Sequence, residues 1–224
     1  MRLTPALALL AVLPAAAAAQ TVPATLPAPR VGILAGLSSA TIGFEDSEEN
    51  DGVDRRNGLV GGVYVALPFA RYLAFRPELL YVQKGASGGD SDDRSTLKLD
   101  YVEVPVLLEV TVPTAGRVRP QLYAGPALAF KARCQVAFEG DGVSASTGCS
   151  RVADEFGEDN FDVKSFDLGG VVGGALAFDV GGRAVTVGAR YTHGFTQLID
   201  DGGARNRAIG VYGSIEFPFG RARR

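Results

Sequence analysis

The chain has 224 residues, enough for one ordinary domain. Its 22 Lys and Arg against 25 Asp and Glu leave a net charge of −3, which gives nucleic acid no basic footprint, and 46% hydrophobic with 21% charged residues excludes a disordered chain. One His and two Cys exclude a multi-histidine metal centre, so neither a metal nor another cofactor is expected.

Residues 1–19 have the three-part layout of a secretory signal peptide. Met1-Arg2 supplies a positive start, Leu3 to Leu13 an apolar stretch, and Ala15 to Ala19 a small-residue cleavage site before Gln20. The apolar stretch is shorter than the ~20 residues a spanning helix needs. Residues 20–30, with Pro23, Pro27 and Pro29, read as an extended periplasmic leader. No later stretch reaches ~18 uninterrupted apolar residues. An exported chain of this kind is either soluble in the envelope or enters a membrane as a closed β-barrel.

From residue 31 to 219 the pattern has period two, the strand signal. Val31, Ile33 and Leu37 open it, followed by Leu59, Val63, Val65 and Leu67 on one face of the second segment. Leu73, Phe75, Leu79 and Tyr81 share a face of the third, opposite Arg76, Glu78 and Lys84. The fourth sets Val102 to Val110 against Glu103 and Glu109, and the fifth sets Leu122, Ala124, Leu128 and Phe130 against Arg119, Gln121, Tyr123 and Lys131. In the sixth, Phe166, Leu168, Val172, Leu176 and Phe178 oppose Asp167. In the seventh, Val185, Val187, Ala189 and Tyr191 oppose Thr186 and Arg190. The eighth sets Ile209, Val211, Ile215, Phe217 and Phe219 against Tyr212 and Glu216.

The connections alternate in length. Residues 45–57, 86–96, 138–160 and 196–206 are long and rich in Asp, Gly and Ser, whereas the turns near 68–72, 113–117 and 180–183 are short. Long loops outside and tight turns in the periplasm are the layout of an all-β, eight-stranded antiparallel up-and-down transmembrane β-barrel. An even strand count puts both ends of the barrel chain on the periplasmic side. A soluble lipocalin-like barrel or sandwich would instead bury the apolar face. The polar face carries charges of both signs beside Gly and Ala, as a narrow interior requires, and Tyr81, Phe130 and Tyr191 sit near strand ends, where an interfacial girdle belongs.

Five segments carry a family resemblance. They are Arg76-Pro77-Glu78-Leu79-Leu80-Tyr81 running to Lys84-Gly85, Leu99-Asp100-Tyr101-Val102-Glu103-Val104-Pro105, and Arg119-Pro120-Gln121-Leu122-Tyr123-Ala124-Gly125-Pro126. Phe166-Asp167-Leu168-Gly169 leading to Gly173-Gly174, and Gly188-Ala189-Arg190-Tyr191 followed by Gly194, complete the set. In order and spacing they resemble the PorT-like outer-membrane β-barrel domain, over roughly Val31 to Phe219. The resemblance implies an eight-stranded barrel in the outer membrane of a diderm bacterium and no single activity; some members assist protein secretion. The chain departs from the usual aromatic last residue of such barrels: residues 220–224 form a short basic tail after Phe219.

The inward ionisable set is Arg76, Glu78, Glu103, Arg119, Lys131, Asp167, Arg190 and Glu216. In a lumen only wide enough for its side chains, opposite charges should pair into a plug, because an unpaired charge there is costly. Asp167 or Glu216, from neighbouring strands, is the expected partner of Arg190. Cys134 and Cys149, in an oxidising compartment, should form a disulfide closing a loop in the longest connection. A lipid-modifying enzyme is disfavoured: in His193-Gly194-Phe195-Thr196, Phe195 occupies the place where lipid A deacylases carry a nucleophile. The acidic loops Glu45 to Gly52 and Asp90 to Asp93 miss the EF-hand pattern, since aligning on Gly52 puts Ser47 at its first position.

These features point to a non-enzymatic outer-membrane barrel with a filled lumen and long surface loops, serving envelope structure, surface contact or secretion. A narrow channel, a lipid-modifying enzyme and a soluble ligand-binding barrel are the alternatives. The expected partners are outer-membrane lipids and lipopolysaccharide, the barrel insertion machinery, and a surface or secretion partner.

Overall fold

The computed structural model describes residues 26–43, 53–89, 93–140, 143–149, 151, 164–197 and 205–220. The signal-peptide segment, the basic tail after residue 220 and most of both acidic loops lie outside the described residues.

Among the described residues nine strands form one antiparallel sheet: β1 (Arg30–Gly43), β2 (Val53–Pro68), β3 (Leu73–Gly89), β4 (Asp93–Thr111), β5 (Val118–Gly140), β6 (Val143–Gly148), β7 (Phe166–Val180), β8 (Arg183–Gly194) and β9 (Arg205–Pro218). β1 pairs with β9, aligning Val31 with Phe217, and β4 pairs with β5, aligning Val110 with Leu122. Eight strands therefore close into a ring, β1-β2-β3-β4-β5-β7-β8-β9, with no free edge. The ninth, β6, pairs only with the upper part of β5, Gln135 opposite Gly148, collinear with β7 below it. No helix among the described residues is long and apolar enough to cross a membrane.

Three predicted loops give residues to strands. The composition of 86–96 predicts a loop, yet β3 continues to Gly89 and β4 starts at Asp93, with Ser87 and Thr96 opposite each other and their hydroxyls 3.1 Å apart. The predicted loop 138–160 begins instead with the β5–β6 hairpin, and the predicted 45–57 loop gives up its end to β2. Small β-compatible hydroxyl residues sustain the cross-strand ladder despite their polarity. Gly85 (φ 130°) lies where β3 leaves the barrel, so close to the Leu97 carbonyl that any Cβ would collide with it. β2 to β6 thus rise as a crest on one side of the barrel, while β7, β8, β9 and β1 stop lower.

The wall is inside-out relative to a soluble protein. Ile33 and Val187 are each 60% exposed and Leu122 57%, all on the outer face, while Arg76 is 0% and Glu216 1% exposed, facing inward. The alternation holds along every wall strand and assigns apolar side chains to lipid. Inward glycines make room for inward tyrosines: a Cβ on Gly32, Gly173 or Gly188 would strike the ring of Tyr64, Tyr123 or Tyr212.

Candidate functional site

The lumen is built in layers. At its periplasmic end, three arginines meet three glutamates. Arg30 contacts Glu109 at 2.7 Å and Glu216 at 3.2 Å. Arg76 contacts Glu78 at 2.9 Å and Glu109 at 3.0 Å, and Arg190 contacts Glu78 at 2.7 Å. Each guanidinium but that of Arg190 bridges two carboxylates, so the layer is a single charge-balanced network. Tyrosines fill the space around it. The Arg76 guanidinium lies 3.9 Å from the Tyr64 ring centroid, and Arg190 lies 4.9 Å from that of Tyr212. The Tyr64 hydroxyl donates to Glu216 (2.8 Å), and the Tyr212 hydroxyl donates to that of Tyr123 (2.9 Å), which donates to the Ala189 carbonyl (3.1 Å). Charges removed from water are tolerated only when paired and hydrogen-bonded in this way.

Above this layer comes an apolar one. Leu34, Val60, Leu80, Val82, Leu107 and Val171 turn inward and are buried. Along β3, Leu80 and Val82 stand between Glu78 below and Lys84 above; along β4, Leu107 stands between Glu109 and Glu103. Lys84 pairs with Glu103, and Asn206 donates to Asp167 (3.0 Å) and to the Tyr101 hydroxyl (3.4 Å). Ile42, Ala86, Leu99, Tyr101 and Ala129 close the outer mouth. The cavity left between Lys84, Glu103 and Arg190 is about 10 Å³, the size of one water molecule. At the periplasmic mouth a cavity of about 500 Å³ ends on Arg30 and Glu216.

Six of the eight expected lumen residues are buried inside: Arg76, Glu78, Glu103, Asp167, Arg190 and Glu216. Arg119 is not among them. It sits at the periplasmic rim, half-exposed, paired with Asp179, because β5 has only just begun there and the lumen is open to water. Lys131 is half-buried where β5 leaves the wall, at the bulge opposite Tyr101, and its backbone N–H donates to the Ser165 carbonyl at 2.9 Å. Arg190 takes neither Asp167 nor Glu216 as its partner but Glu78, from β3 across the lumen.

Sequence patterning missed several members. Arg30, assigned to the leader, opens β1 and anchors two glutamates. Lys84 and Glu109 were legible, since both stand on the polar face of their segments. Tyr64 and the inward leucines gave no periodic signal.

On the crest, a disulfide joins Cys134 of β5 to Cys149, just past β6, with Cα atoms 5.5 Å apart. It ties the base of the β5–β6 hairpin. His193 faces outward near the outer rim, its Nδ1 3.3 Å from the Tyr191 hydroxyl, beside Phe195. Among the described residues no group of three or more His, Cys, Asp or Glu could hold a metal.

A closed antiparallel ring of eight strands with lipid-compatible side chains outside and paired charges inside defines an integral membrane β-barrel. The chain matches the family described as the outer membrane protein beta-barrel domain over residues 19–200 and belongs to that family, which places it in the outer membrane of a diderm bacterium. No curated protein matches it significantly. Solved structures with a similar fold include Ail, the attachment invasion locus protein of Yersinia pestis, at 12% identity, covering 85% of this chain and 99% of Ail, with a TM-score of 0.44. Neisserial surface protein A gives 12% identity, 84% and 97% coverage and a TM-score of 0.47. The outer membrane enzyme PagL gives 12% identity, 85% and 99% coverage and a TM-score of 0.42.

Proposed function

We propose that this protein is a non-conducting, non-catalytic outer-membrane barrel that acts through its outer surface, with the crest as the contact element. The observation carrying this reading is the lumen: charged, apolar and charged layers stand in series, the cavity between Lys84, Glu103 and Arg190 holds about 10 Å³, and an ion crossing there would have to displace a paired, buried charge. Phe195 takes the position at which a lipid A deacylase would carry its nucleophile, which speaks against that chemistry at His193. The crest gives a partner a large, ordered target, pinned by the Cys134–Cys149 bond. The PorT-like resemblance favours a partner in secretion or in the cell envelope. Residues 1–19 act as a cleaved signal peptide in this reading, and the insertion machinery delivers the barrel to a membrane whose outer leaflet is lipopolysaccharide.

Planar-bilayer recording of the refolded full chain tests it. No unitary conductance is expected at moderate voltage. Steady single-channel steps would overturn the sealed-lumen reading, and a change in lipid A mass on incubation with the protein would overturn its non-catalytic part.

A further inference from the structure

The crest ends in two strand edges, and the two differ. On one side β2 runs past the end of its pairing with β1, which stops at Ala40 opposite Arg56, so Val53 to Arg55 pair only with β3. That edge carries charge: Asp54 is ion-paired to Arg94 at 2.7 Å, and Arg55 next to it is exposed. On the other side stands β6, the last strand of the sheet, paired to β5 and to no other strand among the described residues. Its sequence, Val143-Ser144-Ala145-Ser146-Thr147-Gly148, holds neither a charge nor a proline. Charges and prolines are what keep an open edge from pairing with further strands, so the β2 edge is guarded and the β6 edge is bare. Ser144, Ala145 and Ser146 are exposed, and the Cys134–Cys149 bond holds β6 against β5 at its lower end.

The lumen-side face of the crest offers room for a side chain next to this edge. Ser95, Phe138 and Ala145 form one row across β4, β5 and β6, and Leu97, Val136 and Thr147 form the row below. A cavity of about 440 Å³ lies along the upper row, lined also by Asp93 and Gly140. Phe138, large and apolar, is left 45% exposed there. A strand added to β6 would lie one strand spacing, about 4.8 Å, beyond it. A large side chain on that strand, opposite Ala145, would pass over this small residue and meet the Phe138 ring.

We propose that the open edge of β6 binds an extended segment of a partner polypeptide by strand addition, with a large apolar side chain of that segment seated on Phe138. Alternate residues of β6 turn their N–H and C=O away from β5, and an incoming backbone satisfies them. The segment alternates in character: apolar side chains on the Phe138 face, polar ones on the face of Ser144 and Ser146. A second copy of this chain in the same membrane is not the occupant. Two identical edges pair antiparallel about a two-fold axis perpendicular to the sheet. The crest continues the barrel wall, so that axis lies in the membrane plane and would turn the second barrel upside down. The inference deepens the proposed contact role of the crest and rests on the outward orientation of the long loops.

The test is selection of a phage-displayed library of random seven-residue peptides on the full chain, refolded in detergent and shown to be heat-modifiable. The folded Ser144→Lys/Ser146→Lys variant, whose edge is guarded, serves as the counter-target. Peptides that alternate apolar and polar residues should be enriched on the wild type over the variant. A selected peptide, followed by fluorescence anisotropy, should bind about ten-fold or more weakly once the amides along one of its edges are N-methylated, whereas methylation of the other edge should leave binding unchanged. Folded Phe138→Ala should also weaken it. No enrichment, or equal binding of the two N-methylated peptides, would overturn the site. So would self-association of the chain that the lysine variant abolishes, which hands the edge to a second copy, or selection that succeeds only after residues 153–162 are deleted. Peptides that bind the crest of wild type and lysine variant alike would overturn the edge and leave the crest as a contact element. A barrel that conducts ions yet selects alternating peptides through β6 would sink the sealed-lumen reading and leave this site standing.

Discussion

Arg76 is the centre of the lumen network, and replacing it tests whether charge balance holds the barrel closed. In Arg76→Met the guanidinium contacts to Glu78 (2.9 Å) and Glu109 (3.0 Å) disappear, and the stacking on Tyr64 (3.9 Å) goes with them. Arg30 and Arg190 then face Glu78, Glu109 and Glu216, one carboxylate in excess among buried side chains. Breaking a buried pair by removing one partner costs about 3–5 kcal/mol, chiefly through the uncompensated charge left behind. Adding Glu109→Gln restores the balance, with Arg30 on Glu216 and Arg190 on Glu78. The double variant should therefore be more stable than Arg76→Met alone, with a coupling of roughly 2 kcal/mol. Urea unfolding of vesicle-inserted protein, followed by the fraction that remains heat-modifiable on a gel, measures both; the chain has no Trp, so the gel replaces indole fluorescence. If Arg76→Met unfolds at the wild-type urea concentration, or if the double variant is the less stable of the two, the lumen is hydrated and the network reasoning fails.

The lipid-facing assignment predicts that Leu122→Arg, on the outward face between Val110 and Gly174, destabilises the inserted barrel by about 2–4 kcal/mol if it lies near the bilayer midplane; an unchanged unfolding curve would reverse the two faces. For Cys149→Ser, the chain-entropy estimate for the 15-residue separation is ~3 kcal/mol. That loss should fall on the hairpin rather than on the closed ring, so membrane insertion should persist while limited proteolysis newly cuts between residues 135 and 149. Failure to insert would show that the bond does more than order the hairpin. Thiol labelling of unreduced, denatured protein should find no reactive cysteine; two per chain would rule out the bond.

The faces of the wall were legible because the strand period is two: once Ile33 and Leu37 point one way, their even-numbered neighbours must point the other. The sign of the inversion followed from Arg76, Glu78 and Glu216 standing on the second face. The pairing was not legible. Arg190 and Glu78 are 112 positions apart, and which strands face each other across a ring depends on stagger and tilt, which no local pattern encodes. The apolar layer was hidden for a related reason. Leu34, Leu80 and Leu107 interrupt the alternation, and an inward leucine looks in sequence like a strand with two apolar faces. The crest was misread because Ser, Gly and Asp are counted as loop formers, whereas the Ser87–Thr96 contact shows them carrying a ladder.

In a ring of eight, β9 lies four strands from β4 in either direction, so the crest stands on one side of the barrel and the lower wall on the other. The closed ring forces this division of labour. With the lumen crossed by the ion pairs of Arg30, Arg76 and Arg190, the reading proposed above leaves the outer surface as the place for recognition. On the β3–β5 side that surface is a paired strand ladder that continues through Ser87, Thr96 and Ala137 into the β5–β6 hairpin, which gives a partner an ordered edge rather than a loop.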